Sequence, residues 1–144
     1  MDILRAYKIA CQLHAGQTDK AGRPYIAHLT RVMLTVQMDG GDRFQQIAAL
    51  LHDSIEDEKT TAEELLALGV PSEAVVLVQT LAKRKDQSYE DYLRGLSGSC
   101  RVLPVKMADL DDNTDPERLN LLPEPLRTRL QAKYALAWDI LHGG

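Results

Sequence analysis

An all-α helical bundle is the fold this sequence predicts, and three observations predict it. Apolar residues recur at helical spacing along almost the whole chain. Capping residues, prolines and glycines punctuate those stretches where helices should start and stop. No segment shows convincing strand alternation. The β-branched run Val75-Val76-Leu77-Val78 is compatible with a strand, but its length and flanks favour a helix. With 144 residues, 44% of them hydrophobic, the chain is long enough to bury a core, so one domain over residues 1–144 is expected.

The elements follow in order. Residues 2–14 carry Ile3, Leu4, Tyr7, Ile9, Ala10 and Leu13, one broad apolar face. Gly16, Thr18, Asp19, Gly22 and Pro24 then make a loop. A second helix starts near Pro24, since proline suits a first turn. Its core positions are Tyr25, Leu29, Val32 and Val36, and Gly40-Gly41 ends it. Asp42 can cap a third helix through Ile47 and Leu51 to His52-Asp53. Thr60 and Glu63 have the spacing of a capping box, so a short helix should follow and stop at Gly69. Pro71-Ser72-Glu73 opens another, with Lys83-Arg84-Lys85 at its end, where cations suit the helix dipole. Ser88 can cap a short helix holding Tyr89, Tyr92 and Leu93, and Gly95 to Ser99 reads as a turn. Arg101 to Asp112 reads as a buried helix with Pro104 in its first turn. Pro116, Pro123 and Pro125 punctuate a loop before a last helix through Leu126, Leu130, Tyr134, Ala137, Trp138 and Leu141.

Composition excludes several function classes. A net charge of −4 offers no basic field for nucleic acid. Cys11 and Cys100 lack metal-type spacing, and two free thiols fit a cytoplasmic protein. The N-terminus turns charged too early for a signal peptide, and no apolar run approaches a membrane span. Association with membrane is therefore not expected. Apolar terminal helices leave a homodimer open.

The chemistry gathers in Ala48-Ala49-Leu50-Leu51-His52-Asp53-Ser54-Ile55-Glu56-Asp57. Three carboxylates and an imidazole end a strongly apolar run. If the helix continues, His52 shares a face with Glu56, and Asp53 with Asp57. Buried charges are expensive unless paired or bound to a cation, and a divalent ion is the simplest account. The bland alternative is a solvated helix end. His28 lies one turn into the second helix, and Asp109 follows the apolar Val105, Met107 and Ala108. His28, His52, Asp53 and Asp109 together offer two neutral imidazoles and two carboxylates, which balance one divalent ion. Mixed nitrogen and oxygen donors suit Mn²⁺, Fe²⁺, Co²⁺ or Zn²⁺ better than Ca²⁺. Positive charge for phosphates is available from Lys83, Arg84 and Lys85, or from Lys20, Arg23 and Lys106.

The order and spacing of His28, His52-Asp53 and Asp109 resemble the HD superfamily of metal-dependent phosphohydrolases. More closely, HAGQTDKAGRPYIAH (residues 14–28), ALLHDSIEDEKTT (residues 49–61) and VKMADLDDNTD (residues 105–115) are similar to the hydrolase domain of RelA/SpoT alarmone enzymes. Small stand-alone alarmone hydrolases share the pattern. The resemblance implies Mn²⁺ held by His28, His52, Asp53 and Asp109. It assigns Glu56 and Asp57 to the attacking water and Asn113 to substrate binding. It also sets Lys85 and Tyr134 near the substrate. The implied reaction removes pyrophosphate from the ribose 3′ position of a (p)ppGpp-type alarmone, giving GDP or GTP. The family's Arg-Lys pair in the first loop is replaced, on this alignment, by Gln17-Thr18. The chain ends too early to include a synthetase domain.

Plainer roles compete. His28 on a helix face can be a hydrogen-bonded core histidine, and Asn113 a helix C-cap. Lys83-Arg84-Lys85 can be a solvated cluster, and Tyr134 and Trp138 core residues. His14 is read as a loop hydrogen-bonder rather than a ligand, and His142 as part of the tail. Among functions, the alternative is a pyrophosphohydrolase or nucleotidase for another nucleotide, such as an adenosine alarmone. An HD-fold oxygenase would need two metals and more histidines than His14 and His142 supply. A non-catalytic binding module would have no need to keep Glu56 and Asp57.

Overall fold

The computed structural model describes residues 1–143. Among them the regular elements are helical, apart from one isolated antiparallel bridge between Thr18 and Pro24. In chain order they are α1 (Ile3–Leu13), α2 (Tyr25–Met38), α3 (Arg43–Leu51), α4 (Ala62–Ala67), α5 (Ser72–Leu81), α6 (Tyr89–Ser97), α7 (Leu103–Asn113), α8 (Pro116–Leu119) and α9 (Glu124–Leu141).

Helix α3 is the centre. Ile47, Ala48, Ala49, Leu50 and Leu51 are all fully buried. It packs against α1, α2, α5 and α7, and α2 packs against α7 as well. Alanines at 48 and 49 let neighbours come close, while Leu50 and Leu51 fill the space between them. Truncating Leu50 to alanine would cost roughly 2–5 kcal/mol in lost burial and cavity formation. The N-terminus of α3 is fixed by a full capping box. Asp42 accepts the Gln45 backbone N–H at 2.9 Å, and the Gln45 side chain accepts the Asp42 N–H at 3.0 Å. Gly41 is required there, because a Cβ would sit 2.4 Å from Val36 Cγ1. A second layer forms where α6 and α7 pack against α9. Beside it lies a small apolar cluster of Leu119, Leu122 and Leu130.

Trp138, read as core, is exposed, and the secondary structure departs from the sequence reading at five further places. Helix α3 does not continue through Glu56 and Asp57. It stops at Leu51, with His52 as C-cap. The Ser54 hydroxyl donates to the Leu51 carbonyl at 2.6 Å, and tight bonds from Ser54 N to Leu51 O and Glu58 N to Ile55 O follow. A side chain that takes a terminal carbonyl competes with helix continuation. Glu58 completes the turn at φ 59°, in the left-handed region. Second, Thr61 rather than Thr60 caps α4, accepting the Glu64 N–H at 3.2 Å. Each threonine has a glutamate three residues on, so the pattern was degenerate. Third, Gly95 lies inside α6 rather than in a turn. Burial of Tyr92, Leu93 and Leu96 on one face outweighs the roughly 1 kcal/mol helix penalty of one glycine. Fourth, Pro116 opens the short helix α8, with the Asp115 side chain capping Glu117 N. Fifth, Pro125 lies in the first turn of α9, which starts at Glu124, rather than in the loop before it. No helix among the described residues is long and apolar enough to cross a membrane.

Candidate metal centre and its cavity

His28, His52, Asp53 and Asp109 come from α2, the end of α3 and α7, three elements packed on one another. One ligand atom from each of the four lies within 4.8 Å of every other. His28 and His52 are buried, as is Asp109, and Asp53 is half-buried. His28 Nε2 and His52 Nε2 both approach Asp109 Oδ1, at 3.0 and 3.2 Å. His52 Nε2 also lies 3.2 Å from Asp53 Oδ2.

The other ring nitrogens are engaged from behind. His52 Nδ1 donates to the Ala49 carbonyl at 2.6 Å, and His28 Nδ1 meets Asp112 Oδ2 at 2.6 Å. Holding the proton on Nδ1 leaves Nε2 to act as a donor atom. The set therefore fits a divalent cation: two imidazole nitrogens and two carboxylates face one point, with their outward atoms already satisfied. The electrostatics agree. Burial opposes the charge on His52, yet Asp53 and Asp109 outweigh it and push its pKa well above the usual imidazole range. Burial likewise opposes the Asp109 charge, and Lys106, His52 and His28 hold its carboxyl well below the usual range. Lys106 Nζ donates to Asp109 Oδ2 at 3.0 Å, and Asn113 Nδ2 to Asp109 Oδ1 at 3.3 Å. The Tyr25 hydroxyl donates to Asp53 Oδ2. Burial and the Asp53 charge push its pKa up, so it stays a donor. Tyr25, expected in the core, is thus half-buried at the cavity wall.

Two cavities flank this centre. One, of about 240 Å³, is lined by Asp53, Glu56, Asp57 and Asp109 together with Lys20, Lys83, Lys106, Lys133, Tyr89 and Tyr92. The other, of about 310 Å³, has an apolar wall from Ala21, Leu119, Leu122 and Leu130, and includes Gln17, Thr18 and Arg118. Lys20, Tyr25, Asp57, Asn113 and Tyr134 line both, so the two adjoin. Glu56 Oε1 accepts the Lys83 backbone N–H at 2.6 Å. Burial pushes the Glu56 carboxyl above its ordinary value, with Asp53 adding to the effect, and Asp57 behaves alike. Gln17 bridges His14 Nδ1 at 2.7 Å and Asp57 Oδ2 at 3.3 Å. His14 is thereby a hydrogen-bonder rather than one of the clustered donors.

Of the residues expected at the substrate, Asn113, Lys20 and Tyr134 line the cavities. Burial pushes the Tyr134 phenol up to about 12. Lys85 and Arg23 do not line them. Lys85 Nζ pairs with Glu58 at 2.7 Å on the exposed surface, and Arg23 engages Asp19 through its backbone. Sequence reasoning missed Lys133, Asp112 and Arg118. Lys133 lies on α9 with its Nζ 4.9 Å from the Tyr89 ring, and burial, Lys20 and Lys106 depress its pKa. A lysine on a helix that reads as core gives no signal in one dimension.

Residues 6–109 match the model of the HD domain family. Over 119 residues the chain is 34% identical to the guanosine-3′,5′-bis(diphosphate) 3′-pyrophosphohydrolase of Aquifex aeolicus, covering 78% of this chain and 17% of that one. It is 32% identical over 120 residues to the bifunctional (p)ppGpp synthase/hydrolase SpoT of Escherichia coli, covering 76% and 17%. It is 30% identical over 128 residues to the GTP pyrophosphokinase of Myxococcus xanthus, covering 78% and 17%. The chain thus spans about a sixth of the length of these relatives. A solved structure described as a metazoan ortholog of SpoT that hydrolyzes ppGpp shares the fold, with a TM-score of 0.81. That match is 24% identical and covers 98% of this chain and 85% of the other. The buried His-Asp cluster and the match over most of its length place this chain in the HD domain family, with a centre that fits a divalent metal.

Proposed function

We propose that this protein is a divalent-metal phosphohydrolase that removes the 3′-pyrophosphate from a guanosine alarmone of the (p)ppGpp type. The observation that carries this reading is the four-donor cluster beside two adjoining cavities, one lysine-lined and one apolar-walled. The names of the Aquifex and Escherichia relatives support the substrate.

His28, His52, Asp53 and Asp109 would hold the ion; their mixed donors suit Mn²⁺, Fe²⁺, Co²⁺ or Zn²⁺, and the resemblance to the alarmone hydrolases favours Mn²⁺. Once bound, it would acidify a water and polarise a phosphoryl oxygen. The other tasks fall to the chain. Glu56, anchored at Oε1 by Lys83 N–H, is free at Oε2 to take the water's proton. Asp57, steadied by Gln17, is the second carboxylate at that position. The water oxygen adds to phosphorus as the bond from phosphorus to the ribose 3′ oxygen breaks, and that oxygen takes up a proton. Lys20, Lys83 and Lys133 offset the charge of the phosphates, and Lys106 holds Asp109 in place. The apolar wall and Tyr134 take the base, and Asn113 sits between base and phosphates.

A second reading has one observation in its favour. Gln17 and Thr18 bring no cation to the apolar-walled cavity, and the Gln17 amide is committed to His14 and Asp57. A different base, as in an adenosine alarmone, then becomes acceptable. Both readings are tested by incubating Mn²⁺-loaded protein with guanosine and adenosine 3′-pyrophosphates and other nucleotides, with products separated by chromatography. Release of pyrophosphate from the guanosine compound is expected. Turnover of the adenosine compound alone would transfer the assignment, and turnover of neither would refute both.

A further inference from the structure

Behind His28 lies a charged cluster that the reaction itself does not use. Asp112, on α7, is one turn past the metal-facing Asp109, and its side chain is only 8% exposed. Its Oδ2 meets His28 Nδ1 at 2.6 Å. Two guanidinium groups hold the same carboxylate. Arg31 donates from Nε to Oδ1 at 2.6 Å and from Nη2 to Oδ2 at 3.2 Å. Arg118 donates from Nη1 to Oδ2 at 2.7 Å and to the Asp112 backbone carbonyl at 2.9 Å. Arg118 Nη2 reaches Asp19 Oδ2 at 3.0 Å. Asp19 Oδ1 in turn accepts the backbone N–H groups of Ala21 and Arg23, at 2.9 and 3.0 Å.

We propose that Asp112, clamped by Arg31 and Arg118, is the positioning residue that aims His28 Nε2 at the metal and sets the affinity of the site. The inference rests on the reading of His28 as a ligand. An imidazole can rotate about its bond to Cβ and can carry its proton on either nitrogen. A fixed acceptor at Nδ1 removes both freedoms. His52 obtains this from a backbone carbonyl, which cannot move; His28 has only a side chain, and that side chain must itself be fixed. Two arginines fix it, by a fork from α2 and a second guanidinium from α8. They also keep the carboxylate from drawing the proton off the ring. Through Arg118 and Asp19 the same clamp reaches the loop that carries Lys20, so one carboxylate ties the metal centre to the substrate wall.

The test measures metal affinity rather than turnover, by titrating Mn²⁺ into apo-protein and following free Mn²⁺ by electron paramagnetic resonance. Asp112→Asn should weaken Mn²⁺ binding about 10- to 100-fold, the usual effect of losing such an outer partner. Arg31→Gln, which leaves the carboxylate in place but loosens it, should weaken binding by a smaller factor. Asp111→Asn, at the exposed neighbouring position, should change nothing. Circular dichroism of each variant checks the fold, and Arg31, half on the surface, carries the test if Asp112→Asn does not fold. In Zn²⁺-loaded wild type, ¹⁵N NMR should show His28 protonated at Nδ1. Wild-type affinity in both folded variants, or a His28 proton on Nε2, would overturn the proposal. Failure of the wild type to bind Mn²⁺ would instead overturn the metal reading beneath it.

Discussion

Replacing Glu56 with glutamine separates the roles of the cluster most cleanly. The anchor is a single hydrogen bond, the Lys83 N–H to Glu56 Oε1 at 2.6 Å. A glutamine oxygen accepts the same bond, so the side chain keeps its pose and the net value of that bond, about 1 kcal/mol, is retained. Volume is unchanged. The four clustered donors do not include Glu56, so metal content should stay near wild type. What disappears is the proton acceptor. A positioned base contributes 10²-fold or more to the rate, so turnover should fall by at least about 10²-fold, or roughly 2.7 kcal/mol of barrier. KM should hold, because the lost interaction acts mainly in the transition state. The assay is steady-state pyrophosphate release alongside metal analysis of the purified variant. Loss of metal would make Glu56 a ligand and refute the division of labour. Full activity with full metal would return the Glu56-Asp57 pair to a structural role.

Other consequences can be checked in parallel. His52→Ala should lose both metal and activity, since two carboxylates then crowd with one donor fewer; elemental analysis at wild-type stoichiometry would contradict this. Lys133→Ala should raise KM about 10-fold or more with little change in kcat, as expected for a charge-assisted phosphate contact made equally before and during reaction. A normal KM would remove Lys133 from the substrate's surroundings. Asp42→Ala should cost about 1–2 kcal/mol, combining a lost N-cap with the partly exposed Arg101 pair, read by urea unfolding. Arg101 lowers the Asp42 pKa below its ordinary 3.8. Its contribution is therefore complete above pH 3.8 and is lost as the pH falls through the lower folded value, so wild type and variant should converge in acid.

The helices were legible because their ends are written in local chemistry. Asp42, Ser88 and Pro104 each mark a start within a residue of where the structure has it. His52 and Asp53 were legible because they follow the buried run Ile47 to Leu51, and His28 and Asp109 because their order and spacing relative to that pair resemble the HD pattern. The turn after His52 was not, because it depends on one serine hydroxyl choosing the Leu51 carbonyl. Nor were the partners of Asp112, since Arg31 and His28 are more than eighty residues from it and two adjacent aspartates look alike in sequence. Lys85 misled because proximity along the chain to Lys83 does not imply proximity to the cavity; the backbone turns between them and sends Lys85 to Glu58.

The two kinds of wall around the cavity rest on different foundations. The donors are carried by α2, α3 and α7, whose buried faces are shared with most of the core, so nearly any change there is felt throughout the molecule. The apolar wall comes from Ala21, Leu119, Leu122 and Leu130, a small satellite cluster on a loop, on and just after the four-residue α8, and along α9. Substitutions in that wall disturb few neighbours. The donor set is thus tied to the main core, while the apolar wall, proposed above to meet the base, is less constrained by it. Under the proposed function, substitutions at Leu119, Leu122 or Leu130 should shift base preference with less effect on the metal centre than changes on α2, α3 or α7, whereas Arg118 and Asp19 in the same segments remain tied to that centre through Asp112.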